Sequence, residues 1–289
     1  MKKLKEIFNQ VSKVVDNTNS NDITELLLQL ICYSPKTPVR LQYQQLMSDA
    51  RCFTLEANDP HFSGTMLKFN GFIWGNGKYK VLITHGWGSK AADFGDLITG
   101  LQTLDDLQII AFDAPGNGSS EAELSNVLLF VRAIEAIINV YGKPDVMIGH
   151  SVGAMANAIA INATMIKPSL LISIAPLIML KENFIATMRL AKVPKKAQDR
   201  FFESFQSLFE TEASDFNLNK LYKDGAAVKH WLAYDPEDII APYNYLEGFL
   251  TAHPDILTQE YQDVGHERII KNPELIAAIL ELVKLIGYY

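Results

Sequence analysis

Short apolar runs alternate with segments of helical spacing through the middle of the chain. The runs that read as strands are residues 81–84, 108–112, 146–148 and 170–175. The segments between them that read as helices are residues 93–104, 121–141 and 152–165. Strands that are apolar on both sides are typical of a parallel sheet covered by helices. The pattern therefore predicts an α/β fold with a doubly wound, mostly parallel sheet.

Further strands are predicted before and after this alternating region, and we expect them to extend the same sheet. Residues 52–55 and 66–74 read as a pair of strands joined by a turn, ahead of the first parallel strand. The alternation resumes near the C-terminus, with strands predicted at residues 228–234 and 256–261 and helices at residues 243–250 and 273–286. We interpret residues 49–175 and 226–289 as one core.

Residues 176–225 interrupt the core with helical patterns and no predicted strand. An insertion between two parallel strands rises at the carboxyl ends of the strands, where ligands bind in open α/β sheets. We interpret this insertion as a helical lid. Phe201, Phe205 and Phe209 lie on one helical face of it, and they either pack the core of the lid or line a substrate pocket.

Residues 1–48 form a separate helical extension in this interpretation. Leu4, Ile7, Phe8, Val11, Val14 and Val15 have the spacing of an amphipathic helix. A turn cluster at residues 17–22 follows, with Asp22 as a candidate cap for a second helix at residues 23–32, and Pro35 and Pro38 break the pattern. We expect these helices to pack on the sheet or the lid, or to form the contact of a homodimer.

Composition and charge exclude some classes of binding partner. The 289 residues carry 26 basic and 33 acidic side chains and a formal charge of −7, so neither nucleic acid nor an anionic membrane is an expected partner. The longest apolar stretch, Leu170–Leu180, is too short for a membrane span, and no secretory signal is visible, so we expect a cytoplasmic protein. Cys32 and Cys52 suggest neither a disulfide framework nor a metal site.

One five-residue motif carries the first chemical signal. Gly149-His150-Ser151-Val152-Gly153 matches G-x-S-x-G, lies after an apolar strand and precedes a helix rich in small residues. A sharp strand-to-helix turn exposes the serine hydroxyl above the sheet, and the flanking glycines relieve crowding. Ser151 is therefore the candidate nucleophile.

A serine hydroxyl needs a base, and the base needs an acid that orients it. In this type of fold the acid follows a later strand and the histidine follows the last one. Of six histidines, only His266 lies in a loop directly after the last predicted strand. The candidate acids are Asp235 and Asp238. We favour Asp238, with Glu237 a third choice, because Asp235 adjoins Pro236 and looks like a turn former.

His85-Gly86-Trp87-Gly88 follows the first parallel strand and supplies a candidate oxyanion loop. Acyl transfer needs backbone N–H groups aimed at the developing oxyanion. We expect one from Val152, directly after the nucleophile, and one from Trp87. The loop glycines allow close approach of the substrate.

With these motifs in place, residues 65–289 resemble the α/β-hydrolase superfamily, specifically its esterase/lipase-like serine hydrolases. Asp113-Ala114-Pro115-Gly116-Asn117-Gly118-Ser119 is similar to the D-x-P-G-H-G-x-S segment of that family, with Asn117 where histidine is usual. The spacing from Asp238 to Pro242 also matches the acid loop of the family. The resemblance implies hydrolysis through an acyl-enzyme, without a cofactor or a metal.

We therefore expect a carboxylesterase-type serine hydrolase that acts on a small-molecule ester. The same triad also serves thioesterases, lactonases, amidases and C–C hydrolases, as well as cofactor-free lyases and perhydrolases, and the fold does not decide among them. A receptor or binding module with an inert triad is the alternative from another class. Labelling of Ser151 by a fluorophosphonate, followed by a turnover assay, discriminates these readings.

Overall fold

A single sheet organises the chain in the computed structural model, which describes residues 2–14, 21–222 and 228–288. Its strands are β1 (Arg51–Asp59), β2 (Thr65–Trp74), β3 (Tyr79–Thr84), β4 (Leu107–Phe112), β5 (Val146–His150), β6 (Leu170–Ile174), β7 (Lys229–Tyr234) and β8 (Leu257–Glu260). The order across the sheet is β1-β2-β4-β3-β5-β6-β7-β8. β2 is antiparallel to β1 and β4, and the remaining neighbours are parallel. The predicted fold class is thereby confirmed.

Helices connect these strands and extend the chain at its N-terminus. They are α1 (Lys2–Val14), α2 (Asn21–Cys32), α3 (Leu41–Ser48), α4 (Gly95–Leu101), α5 (Val127–Tyr141), α6 (Val152–Thr164), α7 (Leu180–Leu190), α8 (Lys195–Phe209), α9 (Leu218–Leu221), α10 (Tyr243–Ala252) and α11 (Pro273–Lys284). Within the described residues, no helix is both long enough and apolar enough to cross a membrane.

Three helical segments differ from the sequence expectations. The helix predicted from residue 121 begins only at Val127, because the Asn126 side chain caps it by accepting the Leu129 N–H at 3.0 Å. The helix predicted at residues 93–104 is a 3-10 turn over Ala91–Phe94 followed by the shorter α4. Helix α3 was not predicted, and Tyr43 is the buried residue of its otherwise weak pattern.

Some of the sequence expectations concern residues outside the described ranges. Val15, the turn cluster at residues 17–20 and the lid boundary at residue 225 lie outside the described residues. Helix α2 begins at Asn21 rather than at residue 23, so Asp22 lies inside the helix and the prediction that it caps the helix is wrong.

Both faces of the sheet are buried under helices. On one face, Leu97 and Ile98 of α4 and Leu275 and Ile279 of α11 are almost fully buried. The helices α5, α6 and α10 cover the other face, where their apolar side chains join a larger hydrophobic cluster. Apolar strands enclosed on both sides explain why the runs in the sequence are continuous rather than alternating.

The N-terminal helices and the insertion share that larger cluster. α1 packs on α2, and α2 packs on α7 and α8. Ile23 and Leu27 of α2 are fully buried in the same cluster as Phe201 and Phe205 of α8. The N-terminal extension therefore packs on the inserted helices, because its apolar face is buried there rather than presented to solvent.

Candidate active site

Ser151 occupies the sharp turn between β5 and α6. Its backbone has φ 53° and ψ −121°, a region that residues other than glycine rarely adopt. The turn is held from both sides, because the Ser151 N–H donates to the Ile174 carbonyl at 3.0 Å and the Ser151 carbonyl accepts from the Leu177 N–H at 3.2 Å. Such local strain persists where the surroundings enforce it, and it is concentrated at functional sites.

The glycines on either side of Ser151 permit this turn by their lack of a side chain. A Cβ at Gly149 would lie 2.6 Å from the Ala154 Cα, and a Cβ at Gly153 would lie 2.4 Å from the His85 carbonyl oxygen. Both distances are far below contact. The chain can therefore reverse from strand to helix only with glycine at these positions, as the motif predicts.

His266 lies between Ser151 and Asp238. Its Nε2 is 2.9 Å from the Ser151 Oγ, and its Nδ1 is 2.6 Å from the Asp238 Oδ2. Because an ionised carboxylate only accepts, the Nδ1–H donates to Asp238 and Nε2 accepts the Ser151 O–H. The structure thus brings together the three residues that the sequence singled out, in the geometry of a nucleophile, a base and an orienting acid.

Asp238 remains an anion in spite of its burial. Burial acts to raise its pKa, but the hydrogen bond and the charge of His266 act against it. So do the N–H groups of Ile240 and Ala241, which donate at 2.8 and 3.0 Å. The net result is a pKa below the ordinary value of an aspartate. A carboxylate of this kind can stabilise a positive charge on the neighbouring imidazole.

Asp235, the other candidate acid, faces a different set of donors. Its Oδ2 accepts from the N–H groups of Val264 and Gly265 at 2.9 and 2.7 Å, and its Oδ1 accepts from the Glu237 N–H at 3.0 Å. These bonds tie the end of β7 to the loop that carries His266. The sequence indicated Asp235 as the less favoured candidate acid and as a turn former, and nothing in the local pattern indicated this long-range anchoring.

The loop after β3 approaches the same serine. His85 is buried with its tautomer set by two bonds: Nε2 accepts the Ala114 N–H at 3.0 Å, so Nδ1–H donates to the Gly86 carbonyl at 2.6 Å. Burial lowers the pKa of His85 and keeps it neutral. Within the described residues, the N–H groups of Trp87 and Val152 have no protein acceptor.

A family comparison covers the part of the chain that contains these residues. The model of the alpha/beta hydrolase family matches residues 81–278, which contain the serine turn, both aspartates and His266. The chain belongs to the alpha/beta hydrolase family.

Solved structures give this alpha/beta hydrolase many relatives in fold. An esterase of Pyrococcus furiosus has a TM-score of 0.62 at 18% identity, over 87% of this chain and 98% of its own. A monoacylglycerol lipase of Paleococcus ferrophilus has 0.58 at 19% identity, over 75% and 99%. A thermophilic esterase of Thermogutta terrifontis has 0.54 at 16% identity, over 81% and 99%. At these identities the likeness shows the fold alone. No curated protein matches the chain.

His150 links the two sides of the site in this hydrolase. Its Nε2–H donates to the His266 carbonyl at 2.9 Å, and its Nδ1, buried without a partner among the described residues, faces Gly86. Burial, with a smaller contribution from the His266 charge, lowers its pKa to about 3. His150 is therefore a neutral donor to the loop of the base, a role that the motif did not reveal.

The lid phenylalanines pack mainly on one another. Phe205 and Phe209 stack with ring centroids 4.3 Å apart, and Phe201 lies 6.0 Å from Phe184. All three predicted pocket residues are buried in the hydrophobic cluster that also includes side chains of α2. A direct contact of this stripe with substrate stays a prediction.

A shallow depression lies against the acid loop. Its walls are residues 176–179 with Asn183 on one side and residues 240–242 with Tyr245 on the other, and they leave room for about one water molecule. Leu177 bonds the Ser151 carbonyl, and Ile240 and Ala241 bond Asp238, so the depression adjoins both ends of the triad. Over the described part of the hydrolase, no cluster of three or more His, Cys, Asp or Glu residues has the arrangement of a metal site.

Proposed function

We propose that this chain is a serine hydrolase that cleaves carboxylic esters through an acyl-enzyme. The observation that carries the proposal is the position of His266, 2.9 Å from the Ser151 hydroxyl and 2.6 Å from the Asp238 carboxylate. Ser151 is the nucleophile, His266 the general base and Asp238 the orienting acid. The mechanism uses these side chains and backbone amides alone and requires no cofactor.

The geometry supports a two-step reaction. The Ser151 oxygen attacks the ester carbonyl while its proton passes to the His266 Nε2, and Asp238 stabilises the resulting imidazolium. The N–H groups of Trp87 and Val152 then bind the oxyanion, each contributing about 3 kcal/mol to the transition state. His266 returns the proton to the departing alcohol.

The second step regenerates the enzyme. A water molecule gives a proton to the His266 Nε2 and attacks the acyl carbon, which releases a carboxylic acid and restores the Ser151 hydroxyl. The apolar side chains of residues 176–179 and 240–242, which lie beside the triad, favour a small or medium ester with an apolar group.

A chain-length series of p-nitrophenyl esters, from acetate to decanoate, tests the function. We expect hydrolysis by the wild type, and labelling of Ser151 by a fluorophosphonate at one probe per chain. Ser151→Ala should lose both, whereas Ser207→Ala, an exposed serine on α8, should lose neither. A wild type that hydrolyses no ester of the series, or a Ser151→Ala variant with unchanged rates, contradicts the proposal.

A second set of substrates distinguishes ester hydrolysis from the other hydrolytic reactions that the same triad can catalyse. Matched oxygen esters and thioesters with one acyl chain, together with a lactone, separate the ester specificity from its rivals by their kcat/KM values. Fluorophosphonate labelling without turnover of any of these compounds would instead indicate a binding protein with an activated serine.

A further inference from the structure

A segment of the N-terminal extension lies across the candidate oxyanion loop. Residues 33–37, here called the strap, connect α2 to the approach of α3. The strap pairs with residues 123–125: Tyr33 and Leu124 form an isolated antiparallel bridge, and the Ser34 N–H donates to the Glu123 carbonyl at 3.1 Å. Residues far apart in sequence are thus joined beside the oxyanion loop.

The side chain of Asn117 joins the strap to that loop. It is fully buried, and its Oδ1 accepts both the Ser34 hydroxyl and the Gly88 N–H, the latter at 3.2 Å. Its Nδ2 donates to the Pro115 carbonyl and to the Ser125 Oγ, both at 3.2 Å. All polar positions of the amide therefore have partners, and its orientation is set. One buried amide thus connects the Ser34 hydroxyl with the backbone N–H of Gly88, the residue after Trp87.

Two further contacts connect the strap directly with the oxyanion loop. The Trp87 indole N–H donates to the Tyr33 carbonyl at 3.3 Å, and the Lys90 Nζ donates to the Thr37 Oγ1 at 2.7 Å. Gly88, between these two residues, has φ 65°. A loop that passes through a glycine of this conformation has little intrinsic stiffness, so its contacts determine where its amides point.

We propose that the strap positions the oxyanion loop, with Ser34 and Asn117 as positioning residues that aim the Trp87 N–H. The inference rests on the proposed function, because it assigns that amide to the oxyanion. Donors of this kind act by being held in place before charge develops. Loosening them should lower the rate of the chemical step and leave the binding of the ground state almost unchanged.

Ser34→Ala tests the inference, since it removes a single hydroxyl. With p-nitrophenyl butyrate we expect kcat to fall roughly tenfold, while KM stays within about twofold. The affinity for an alkyl trifluoromethyl ketone, whose adduct with Ser151 carries an oxyanion, should fall in parallel. Rates are normalised to active sites titrated with a fluorophosphonate, so that a loss of folded protein does not imitate the effect.

Tyr43→Phe is the matched control from the same N-terminal extension. It removes a hydroxyl that donates to Asp96 at 2.8 Å, on the side of α3 that faces α4 rather than the oxyanion loop. We expect its kcat and its ketone affinity to equal those of the wild type. An equal loss in both variants would overturn the inference, because it would show a general effect of the extension.

Ser34→Thr and Ser34→Val keep the test decisive if the alanine variant is poorly folded. The two side chains have the same shape and differ in the hydroxyl, so Thr should retain activity and Val should lose it. Equal kcat values for this pair overturn the role of the strap while the proposed function stands. A wild type that neither turns over an ester nor reacts with the fluorophosphonate overturns both.

Discussion

The two sides of the candidate site are held in place by different parts of the chain. On the side of the base, Asp235, Asp238 and His266 lie in the loops that follow β7 and β8, two neighbouring strands. On the side of the oxyanion, the loop around Trp87 is bonded to Asn117 and, through it, to Ser34. The base is thus placed by the core of the fold, and the oxyanion loop by a segment outside the sheet.

This difference shows which part of the site the topology of the sheet determines and which part it does not. Parallel strands deliver their following loops to one edge of the sheet, so residues in the loops after β7 and β8 must meet. No such rule brings Ser34 to Asn117, because α2 and its strap belong to an extension ahead of β1. The first arrangement follows from the topology of the sheet, and the second from side-chain contacts that this topology does not dictate.

The largest effect should come from the acid on the side of the base. Asp238→Asn replaces the acceptor of the His266 Nδ1–H by an amide and favours the wrong tautomer of the imidazole. We expect kcat for a p-nitrophenyl ester to fall about 10⁴-fold with the fold intact by circular dichroism. A decrease below tenfold would mean that another group orients His266.

The next largest effect is expected at Gly86, where the side of the base and the side of the oxyanion meet. Gly86→Ala would place a Cβ 2.7 Å from the His150 Nδ1 and 3.3 Å from the Ser151 Cβ, both in buried surroundings. The loop must shift, and a displacement of about 1 Å near reacting groups costs on the order of 100-fold in kcat. Gly248→Ala, where the added Cβ meets open space, is the control and should leave kcat unchanged. Equal activity of the two variants would refute the close packing at the junction.

A substitution of Asp235, which anchors the loop that carries His266, should have a smaller effect. Asp235→Asn turns one carboxylate acceptor into an amide that faces the N–H donors of Val264 and Gly265 or Glu237. We expect the free energy of unfolding to fall by about 2 kcal/mol, measured by urea denaturation. The exposed Asp263→Asn serves as the control from the same loop. Equal stability of both variants would mean that the loop does not depend on Asp235.

The last expected effect is a pH dependence of the free energy of unfolding that comes from His150. Its pKa is about 3 in the folded chain and about 6.5 when unfolded, so the unfolded state binds a proton first as the pH falls. The free energy of unfolding should therefore decrease below pH 6.5, by at most about 1.4 kcal/mol per pH unit. His150→Gln, which can still donate to the His266 carbonyl, should flatten this slope.

A second buried histidine separates stability from activity in the same measurement. His230 in β7, bonded to Ser173 and Tyr222, also has a pKa lowered to about 3 by burial. His230→Gln should flatten the slope to a similar extent, but only the change at His150 should alter kcat. Denaturation at pH 7, 6 and 5 checks the slopes, and a wild type equally stable at all three would refute the assignment of both histidines.

The sequence by itself determined the sheet, the serine turn and the region of the base. Apolar runs, the G-x-S-x-G spacing and the position of His266 after the last strand are local signals, and local signals survive without knowledge of distant contacts. They also placed the acid within a few residues, at Asp235 or Asp238.

Only the tertiary structure decided how those residues are used. Asp235 and Asp238 belong to one turn, in which the Asp238 N–H donates to the Asp235 carbonyl at 3.1 Å, and the direction of that turn sends one carboxylate to the imidazole and the other to the loop backbone. The bond between Ser34 and Asn117 likewise joins residues that are 83 positions apart in the chain. Such contacts form only when distant parts of the chain come together, so the local sequence around each residue does not indicate them.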